Sequence, residues 1–415
     1  MAPPDGPGYR FSFAAHMETR LSPLVRSIEE PATLFMARRS RELKAQGRDI
    51  VDLSLGEPDQ SPPAFAIEAA RAALEGPWHK YPPVNGFADV REAIARKFLR
   101  DNRLTYSPEQ IVVSTGAKQS VMNTVMALIG PGDEAVIPAP FWVTYAEQVR
   151  MAGGTPVIVP STLDEDWKPP IDRIAAAITP RTRLLIFSSP CNPSGSVLTA
   201  DELMDLAAVV SAHKDLYVIS DEIYEHIVFN GSHVSFAALP GMYDRTITVN
   251  GLSKAFAMTG WRVGYIGAPL HIAKACSKIQ GQFTSGANSI AQRVTIACMD
   301  ADPRVLSGMR ADFLRRRDLL LKELERVPGW RCNRPEGAFY LLPDVRSCLG
   351  GRLGSRKLTT SQDLCMALLE EGGVSLVDGE AFGAPGTLRI SYATADATLR
   401  MAVSRIAGTV SRIEA

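Results

Sequence analysis

The chain has 415 residues with 45 basic and 45 acidic side chains, so its formal net charge is zero. Hydrophobic residues make up 46% of it and charged residues 22%, which excludes a disordered chain and indicates a folded protein with a large core. Because the chain lacks the basic excess that phosphate backbones attract, we expect no nucleic-acid partner.

The cysteines and histidines give no pattern that binds metal. No two cysteines form a CxxC pair, and the histidines have no acidic or cysteine partner at ligand spacing, so we expect no metal site and no disulfide framework. No apolar run approaches the roughly 18 residues of a membrane-spanning helix. Residues 1–16 are rich in Pro and Gly and lack the apolar core of a signal peptide, which predicts a disordered tail on a soluble, cytoplasmic protein.

Short apolar segments alternate with helical patterns along the middle of the chain. The predicted strands are residues 111–114, 134–137, 156–159, 184–188, 216–220 and 246–250. Predicted helices such as 118–128 and 201–213 lie between them. Strands that are apolar throughout are typical of a parallel sheet covered by helices on both faces, so the predicted fold class is α/β.

The pattern changes beyond residue 300. A long charged helix is predicted over 303–326, and we expect its run Arg315-Arg316-Arg317 to be a solvent-exposed face. A helix near 361–371, a strand near 387–392 and a terminal helix follow. We expect a large domain over 61–300 and a smaller α+β domain over 301–415, which the segment 17–60 joins.

The most specific segment follows predicted strand 246–250. Lys254 comes directly after the Gly251 turn, and Arg262 stands eight residues later. Ligands of α/β sheets bind at the carboxyl ends of strands, and a lysine amine there can form a Schiff base with a carbonyl. Taken alone, Lys254 is more simply interpreted as a surface lysine, and only the neighbouring segments change that.

Three further segments follow predicted strands in the same way. Asp221 ends one strand, either as a helix cap or as the partner of a buried cation, and Tyr224 offers a hydroxyl nearby. Asn192 lies in a Pro- and Ser-rich segment that could equally be a plain turn. The loop from Ser114 to Lys118 opens a helix, whose free N–H groups suit a phosphate, although it lacks the spacing of an NTPase P-loop.

In this order, the four segments resemble the class I pyridoxal-phosphate aminotransferases of the aspartate aminotransferase superfamily, most closely the bacterial aspartate aminotransferases. The resemblance runs from about residue 28 to about residue 413. It implies a large domain with a mainly parallel seven-stranded sheet covered by helices, a smaller α+β domain, and pyridoxal phosphate (PLP) as cofactor. It also includes the segments Leu55-Gly56-Glu57-Pro58-Asp59, Tyr81-Pro82-Pro83-Val84-Asn85-Gly86, Ala139-Pro140-Phe141-Trp142 and Leu388-Arg389-Ile390-Ser391-Tyr392-Ala393-Thr394.

The resemblance implies a role for each residue around the cofactor ring. Lys254 carries PLP as a Schiff base and then acts as general base, while Asp221 pairs with the ring nitrogen. Tyr224 and Asn192 hydrogen-bond the ring 3′-oxygen, and Trp142 stacks on the ring.

The resemblance also implies the phosphate contacts. Arg262 and Ser253 contact the phosphate, and Tyr81 reaches the phosphate of the neighbouring subunit, which implies a homodimer with shared active sites. The remaining phosphate donors are the backbone N–H groups of Gly116, Ala117 and Lys118.

For the substrate, the resemblance assigns the α-carboxylate to Arg389, assisted by Asn192 and the backbone of Gly56, with Trp142 beside it. Lys118 faces the distal carboxylate of aspartate or glutamate. The implied reaction is ping-pong transfer of an amino group from an L-amino acid to a 2-oxo acid such as 2-oxoglutarate.

Two segments depart from the family pattern, namely Glu29-Glu30-Pro31 and Ser285-Gly286-Ala287-Asn288. Acidic residues near a dicarboxylate pocket disfavour an anionic side chain, so aromatic and basic amino donors stay open. A PLP lyase or cyclase of the same fold is a further alternative, because fold does not fix function. A non-enzymatic PLP-binding regulator domain is disfavoured, since only about 50 residues precede Leu55 and the net charge is zero.

Overall fold

The computed structural model describes residues 21–414, so the tail expected over 1–16 lies outside the described residues. The strands are β1 (Val51–Asp52), β2 (Ile111–Ser114), β3 (Glu134–Pro138), β4 (Thr155–Val159), β5 (Thr182–Ser188), β6 (Tyr217–Asp221), β7 (Thr246–Gly251), β8 (Gly264–Gly267), β9 (Tyr340–Leu341), β10 (Arg352–Leu353), β11 (Arg356–Lys357), β12 (Val374–Ser375), β13 (Val377–Asp378) and β14 (Leu388–Ser391).

The helices occupy most of the connections between these strands. They are α1 (Pro23–Ser27), α2 (Ala32–Ala45), α3 (Ala64–Glu75), α4 (Ala88–Asn102), α5 (Ala117–Leu128), α6 (Thr144–Met151), α7 (Ile171–Ala176), α8 (Ala200–Ser211), α9 (Leu270–Phe283), α10 (Ser289–Asp300), α11 (Ser307–Leu324), α12 (Ser361–Glu370) and α13 (Asp396–Val410).

The central element is a seven-stranded sheet of order β2-β8-β7-β6-β5-β3-β4. Strands β3 to β7 are paired in parallel, and β8 runs antiparallel to both of its neighbours. The predicted mainly parallel sheet is therefore confirmed. The sequence analysis did not predict β8, because its four residues Gly-Tyr-Ile-Gly contain no apolar run.

Helices cover both faces of this sheet, as the apolar strands predicted. Leu184 and Ile186 of β5 pack in one cluster with α5, α6 and α9. Leu185 and Phe187, which alternate with them, pack on the other face against α8. The carboxyl ends of β5, β6 and β7 form an open edge of the sheet, and polar side chains gather there.

The C-terminal elements form a second core together with the N-terminal segment. Strand β1 pairs in parallel with β12, and β13, β14 and β9 form a three-stranded antiparallel sheet. Met36 and Leu43 of α2 pack in the same buried cluster as Leu320 and Phe339. The domain division at residues 60 and 300, with 17–60 joined to the smaller domain, stays a prediction.

The predicted exposure of the arginine run is wrong for two of its three members. Arg315 is half-exposed, but Arg316 and Arg317 are buried. Arg316 donates to Asp59 at 2.7 Å, and Arg317 donates to the Pro335 carbonyl at 2.8 Å. From the sequence alone, a run of charged residues is expected to be exposed, because the sequence does not show which distant segments supply their partners.

No helix of the described part of the chain is long and apolar enough to cross a membrane.

Candidate active site

Polar side chains from distant parts of the chain meet in one cavity of about 440 Å³ at the carboxyl ends of β5, β6 and β7. Asn192 follows β5, Asp221 ends β6, and Lys254 follows β7. Gly56, which follows β1, and Arg389 of β14 border the cavity from the second core. The strand order thus brings together residues that lie more than 300 positions apart in sequence.

Asp221 is a buried carboxylate with two donors. The Tyr145 hydroxyl donates to its Oδ2 at 2.6 Å and the Ile223 N–H donates to its Oδ1 at 3.2 Å. Burial raises the pKa of Asp221 to about 6, and these two hydrogen bonds oppose the rise. Within residues 21–414, no cationic side chain forms an ion pair with this carboxylate, so the site favours a cation supplied from outside.

Lys254 stands across the cavity with its amine in contact with backbone. Its Nζ donates to the Gly56 carbonyl at 2.6 Å. Desolvation lowers the pKa of Lys254 to about 8, with Arg389 and Arg262 acting in the same direction and Glu57 opposing them. A large fraction of the amine is therefore neutral just above pH 8, which is the form that attacks carbonyls and accepts protons.

The start of α5 forms a cradle for an anion. Gly116 has φ +84°, and a Cβ at this position would overlap Nη2 of Arg262. The N–H of Gly116 already donates to the Ser114 carbonyl at 2.8 Å. The N–H groups of Ala117 and Lys118, in contrast, have no acceptor within the described chain. Two free N–H groups, a helix N-terminus and a guanidinium together suit a phosphate.

Arg389 is only 1% exposed and is oriented from several sides. Its Nη1 donates to Asn192 Oδ1 at 3.1 Å, and its Nη2 donates to the Ser54 carbonyl. The rings of Tyr340 and Phe382 flank the guanidinium at 4.8 and 5.0 Å. Desolvation lowers its pKa. Its Nε has no acceptor within residues 21–414, so this arginine is poised for a carboxylate.

Trp142 and Lys118 line the same cavity from the α5–α6 side. The Lys118 Nζ lies 5.0 Å from the Trp142 ring centroid. Desolvation lowers the pKa of Lys118, and nearby Arg262 contributes in the same direction. Ser253, which is buried, and Tyr224 also border the cavity.

Two tyrosines of the site were not predicted from the sequence. Tyr145 bonds to Asp221, and the hydroxyl groups of Tyr340 and Tyr224 lie 2.8 Å apart. A Cβ on Gly56 would stand 2.5 Å from the Tyr340 hydroxyl, so Tyr340 leaves no room for a side chain at position 56. The only available signal for Tyr145 was its position three residues after Trp142. Tyr340 had none, because a buried tyrosine is usually a core residue.

Two of the predicted site residues, Tyr81 and Gly116, are not among the residues that line this cavity. Gly116 lies next to it at the start of α5, whereas Tyr81 lies on the surface. Its side chain is 95% exposed. Of the two acidic residues that depart from the family pattern, Glu30 is engaged with Arg38 at 2.8 Å, which lowers its pKa. Glu29 lines an apolar cavity beside Lys118.

Comparison with known proteins identifies the family. A family model described as aminotransferase class I and II matches residues 48–406. The chain belongs to the class I and II aminotransferases. A bifunctional aspartate aminotransferase and glutamate/aspartate-prephenate aminotransferase of Petunia hybrida is 44% identical to this aminotransferase over 395 residues, which are 94% of this chain and 82% of that protein. An aspartate/prephenate aminotransferase of Cereibacter sphaeroides is 43% identical over 93% of this chain and 97% of its own.

A solved structure confirms the aminotransferase fold. The crystal structure of the aspartate aminotransferase from Rhizobium meliloti matches with a TM-score of 0.91 and 38% identity, covering 95% of this chain and 100% of that chain. The aminotransferase uses PLP and moves amino groups between amino acids and 2-oxo acids.

The cavity of this aminotransferase fits PLP by the chemistry of its donors and acceptors. The phosphate of PLP calls for the free N–H groups and guanidinium at the start of α5. A protonated ring nitrogen calls for a buried carboxylate such as Asp221, and the PLP carbonyl calls for an amine such as Lys254. The phosphate, the ring nitrogen and the carbonyl of PLP therefore each have a chemically suited counterpart in this cavity.

Proposed function

We propose that the enzyme transfers the amino group of L-aspartate or L-glutamate to a 2-oxo acid such as 2-oxoglutarate in a ping-pong reaction. The observation that carries this proposal is a pair of cations, Arg389 and Lys118, that border one cavity. Arg389 offers its unpaired Nε, and Lys118 has no carboxylate within 4.0 Å in the described residues. Two cations suit the two carboxylates of a dicarboxylic amino acid.

The residues divide the work on the cofactor. PLP supplies a carbonyl and an electron-withdrawing ring that stabilises negative charge at the substrate Cα. Asp221 would hold a proton on the ring nitrogen, since a close pair of unit charges at an effective dielectric constant near 20 is worth about 4 kcal/mol. Tyr224 and Asn192 would donate to the ring oxygen, and Trp142 would cover one ring face. Arg262, Ser253 and the N–H groups of Ala117 and Lys118 hold the phosphate, with Gly116 shaping the turn.

Lys254 moves the proton at Cα. Its amine is neutral at mildly alkaline pH because desolvation lowers its pKa to about 8. Arg389, Asn192 and the backbone of Gly56 hold the α-carboxylate so that the Cα proton lies toward this amine. Orientation of this kind lowers the entropic part of the barrier.

The active enzyme is a homodimer with shared active sites. An apolar cavity of about 480 Å³ lies beside the phosphate cradle and is lined by Met122, Met126 and Phe283. Phe283 is 66% exposed, and Tyr81 is more exposed still. Large exposed apolar side chains beside a site are typical of an interface, and a second copy would bring Tyr81 to the neighbouring phosphate.

We also propose that the enzyme is located in the cytoplasm.

Prephenate is a second candidate acceptor. The relatives from Petunia hybrida and Cereibacter sphaeroides both carry this activity in their names. The exposed side chains of Leu34 and Leu55 line the cavity together with Lys118, and they would face the ring of such an acid.

Steady-state kinetics with a panel of amino donors and 2-oxoglutarate tests the proposal. We expect the highest kcat/KM with aspartate or glutamate, and Lys118→Ala should lower it for these donors more than for phenylalanine. No measurable activity with aspartate or glutamate would exclude the dicarboxylate preference. A lyase would instead release ammonia and an oxo acid without any second substrate.

A further inference from the structure

A second polar cluster lies directly behind the candidate active site. The segment after β6 alternates its side chains between two environments. Asp221 and Tyr224 border the cofactor cavity. Glu222 and Glu225, each one position further on, are buried in the protein interior on another side. Two buried carboxylates this close to Asp221 need compensating partners.

Glu225 is surrounded by donors from three elements. Lys97 of α4, itself only 1% exposed, forms an ion pair with its Oε1. Asn250 donates to the same oxygen at 2.7 Å, and Asn102 donates to Oε2 at 2.7 Å. The Nε2 of His226 lies 3.3 Å from Oε1. Although burial opposes it, Lys97 and His226 hold the pKa of Glu225 well below its usual range.

Glu222 has its own set of partners. The hydroxyl groups of Ser220 and Ser235 each donate at 2.9 Å, and the Phe236 N–H donates at 3.2 Å. His233 Nε2 lies 2.9 Å from the other carboxylate oxygen. Although burial alone would lower it, the charge of Glu222 raises the pKa of His233. The two carboxylates therefore face the ammonium group of Lys97 and the imidazole of His233.

Three further titratable groups lie around this cluster, and one of them is a third carboxylate. Asp101 lies 3.8 Å from Lys97. The buried hydroxyl groups of Tyr106, in the segment before β2, and of Tyr265, in β8, also lie near the cluster. Their pKa values are raised by burial, so both stay neutral. Glu222, Glu225 and His233 have ligand atoms within 4.8 Å of one another, which the sequence spacing did not reveal. Lys97, Asn102 and Asn250 engage these oxygens, so the cluster is a closed network and not a metal site.

The network ties together the two loops that carry the site. Asn250 is near the end of β7, and its Oδ1 accepts from the Gly251 N–H at 2.7 Å, three residues before Lys254. The Glu222 N–H donates to the Val249 carbonyl at 2.9 Å. One set of bonds thus links the C-terminal end of α4, the turn after β6 and the turn after β7.

We propose that Lys97, Glu222 and Glu225 are positioning residues for the cofactor, which hold Asp221 and Tyr224 at the cavity and balance the charge behind them. The inference rests on the proposed roles of Asp221 and Lys254. Removing one member leaves a buried charge without its partner, which forces the turn to rearrange. Removing Lys97 and Glu225 together restores the balance.

The test compares Lys97→Met, Glu225→Gln and the double variant. The matched control is Glu134→Gln, because Glu134 is equally buried but lies at the amino end of β3, where it accepts from Thr179 and Arg181. The readouts are the PLP dissociation constant of the cofactor-free protein, the pH midpoint of the visible absorbance of bound cofactor, and Tm.

Each single variant is expected to weaken PLP binding by about tenfold, as the loss of an outer partner of a bound group does. The pH midpoint of the cofactor absorbance is expected to rise in Lys97→Met, because a positive charge is removed, and to fall in Glu225→Gln, because a negative charge is removed. Each shift should be roughly half a pH unit. The double variant should return toward the wild-type midpoint. Glu134→Gln should change Tm alone.

The proposal is overturned if the single variants differ from the wild type only in Tm, as Glu134→Gln does. If either single variant does not fold, His233→Asn at the rim of the network replaces it. Its midpoint should rise because Glu222 loses the imidazole whose pKa its charge raises. An unchanged midpoint in His233→Asn would likewise overturn the proposal. Failure of the proposed roles of Asp221 and Lys254 is distinguishable, because the wild type itself would then show no visible absorbance that depends on Lys254.

Discussion

Lys254 and Asp221 show how burial sets the chemistry of single residues. Desolvation lowers the pKa of the amine to about 8 and raises that of the carboxyl to about 6, so the two values approach each other. Between them lies a pH range in which Asp221 is ionised and part of Lys254 is neutral. Reactive groups matched to neutral pH are what amino-group transfer needs.

We predict that the cofactor-free protein acquires its visible PLP absorbance with a half-maximal rate near pH 8. The reason is that only the neutral Lys254 amine attacks, and it gains that form as pH rises through its lowered pKa. Stopped-flow absorbance over a pH series measures this. Lys254→Ala, the control, should show neither this band nor turnover, and near-normal activity in that variant would contradict the assignment.

Removing the Tyr145 hydroxyl should weaken PLP binding through its effect on Asp221. The hydrogen bond from Tyr145 opposes the burial that raises the pKa of Asp221, so Tyr145→Phe should raise that pKa further. Asp221 is then protonated at a higher pH, and PLP affinity should be lost at a higher pH as the solution is acidified. At neutral pH we expect about tenfold weaker PLP binding, since a hydrogen bond to a charged group is worth roughly 1.5–3 kcal/mol.

Fluorescence titration of the cofactor-free variant with PLP at several pH values measures both effects. If the variant lost PLP affinity at the same acidic pH as the wild type, this would show that Tyr145 does not act through Asp221.

At the scale of elements, the start of α5 depends on one glycine. Gly116 has φ +84° and ψ 157°, a region that side chains rarely enter, and its missing Cβ makes room for Arg262. Gly116→Ala should therefore displace the guanidinium, weaken PLP binding and reduce stability by roughly 1–3 kcal/mol.

Gly132→Ala is the matched control for this substitution. Gly132 also has a positive φ, +94°, but a Cβ there meets nothing within 4 Å. It should therefore reduce stability without changing the PLP dissociation constant. Equal PLP affinities in the two variants would exclude Gly116 as the shaping residue of the phosphate cradle.

At the scale of the whole molecule, the proposed shared active site predicts complementation between two inactive variants. Lys254→Ala lacks the amine, and Tyr81→Ala lacks the side chain that would reach the partner's phosphate. In a mixed dimer, one site combines Lys254 of one subunit with Tyr81 of the other. After mixing and re-equilibration, roughly a quarter of the sites should regain full PLP affinity, from random pairing into twofold dimers.

Activity of the mixture, measured against each variant alone, gives the result. Activity equal to the average of the separate variants would show that Tyr81 serves its own subunit or none. Light scattering of the wild type, as a control, should report a dimer.

The sequence by itself determined the local units of this protein. Apolar strand segments, helix starts and the residues just after each strand are encoded within a few positions, so most strands and the positions of Lys254, Asp221 and Asn192 could be predicted. Only the tertiary structure decided which distant groups meet. Tyr145 bonds to Asp221, Tyr340 to Tyr224, and Arg316 is buried against Asp59. The physical reason is that burial and partners, which set charge state and pKa, come from segments far apart in the chain.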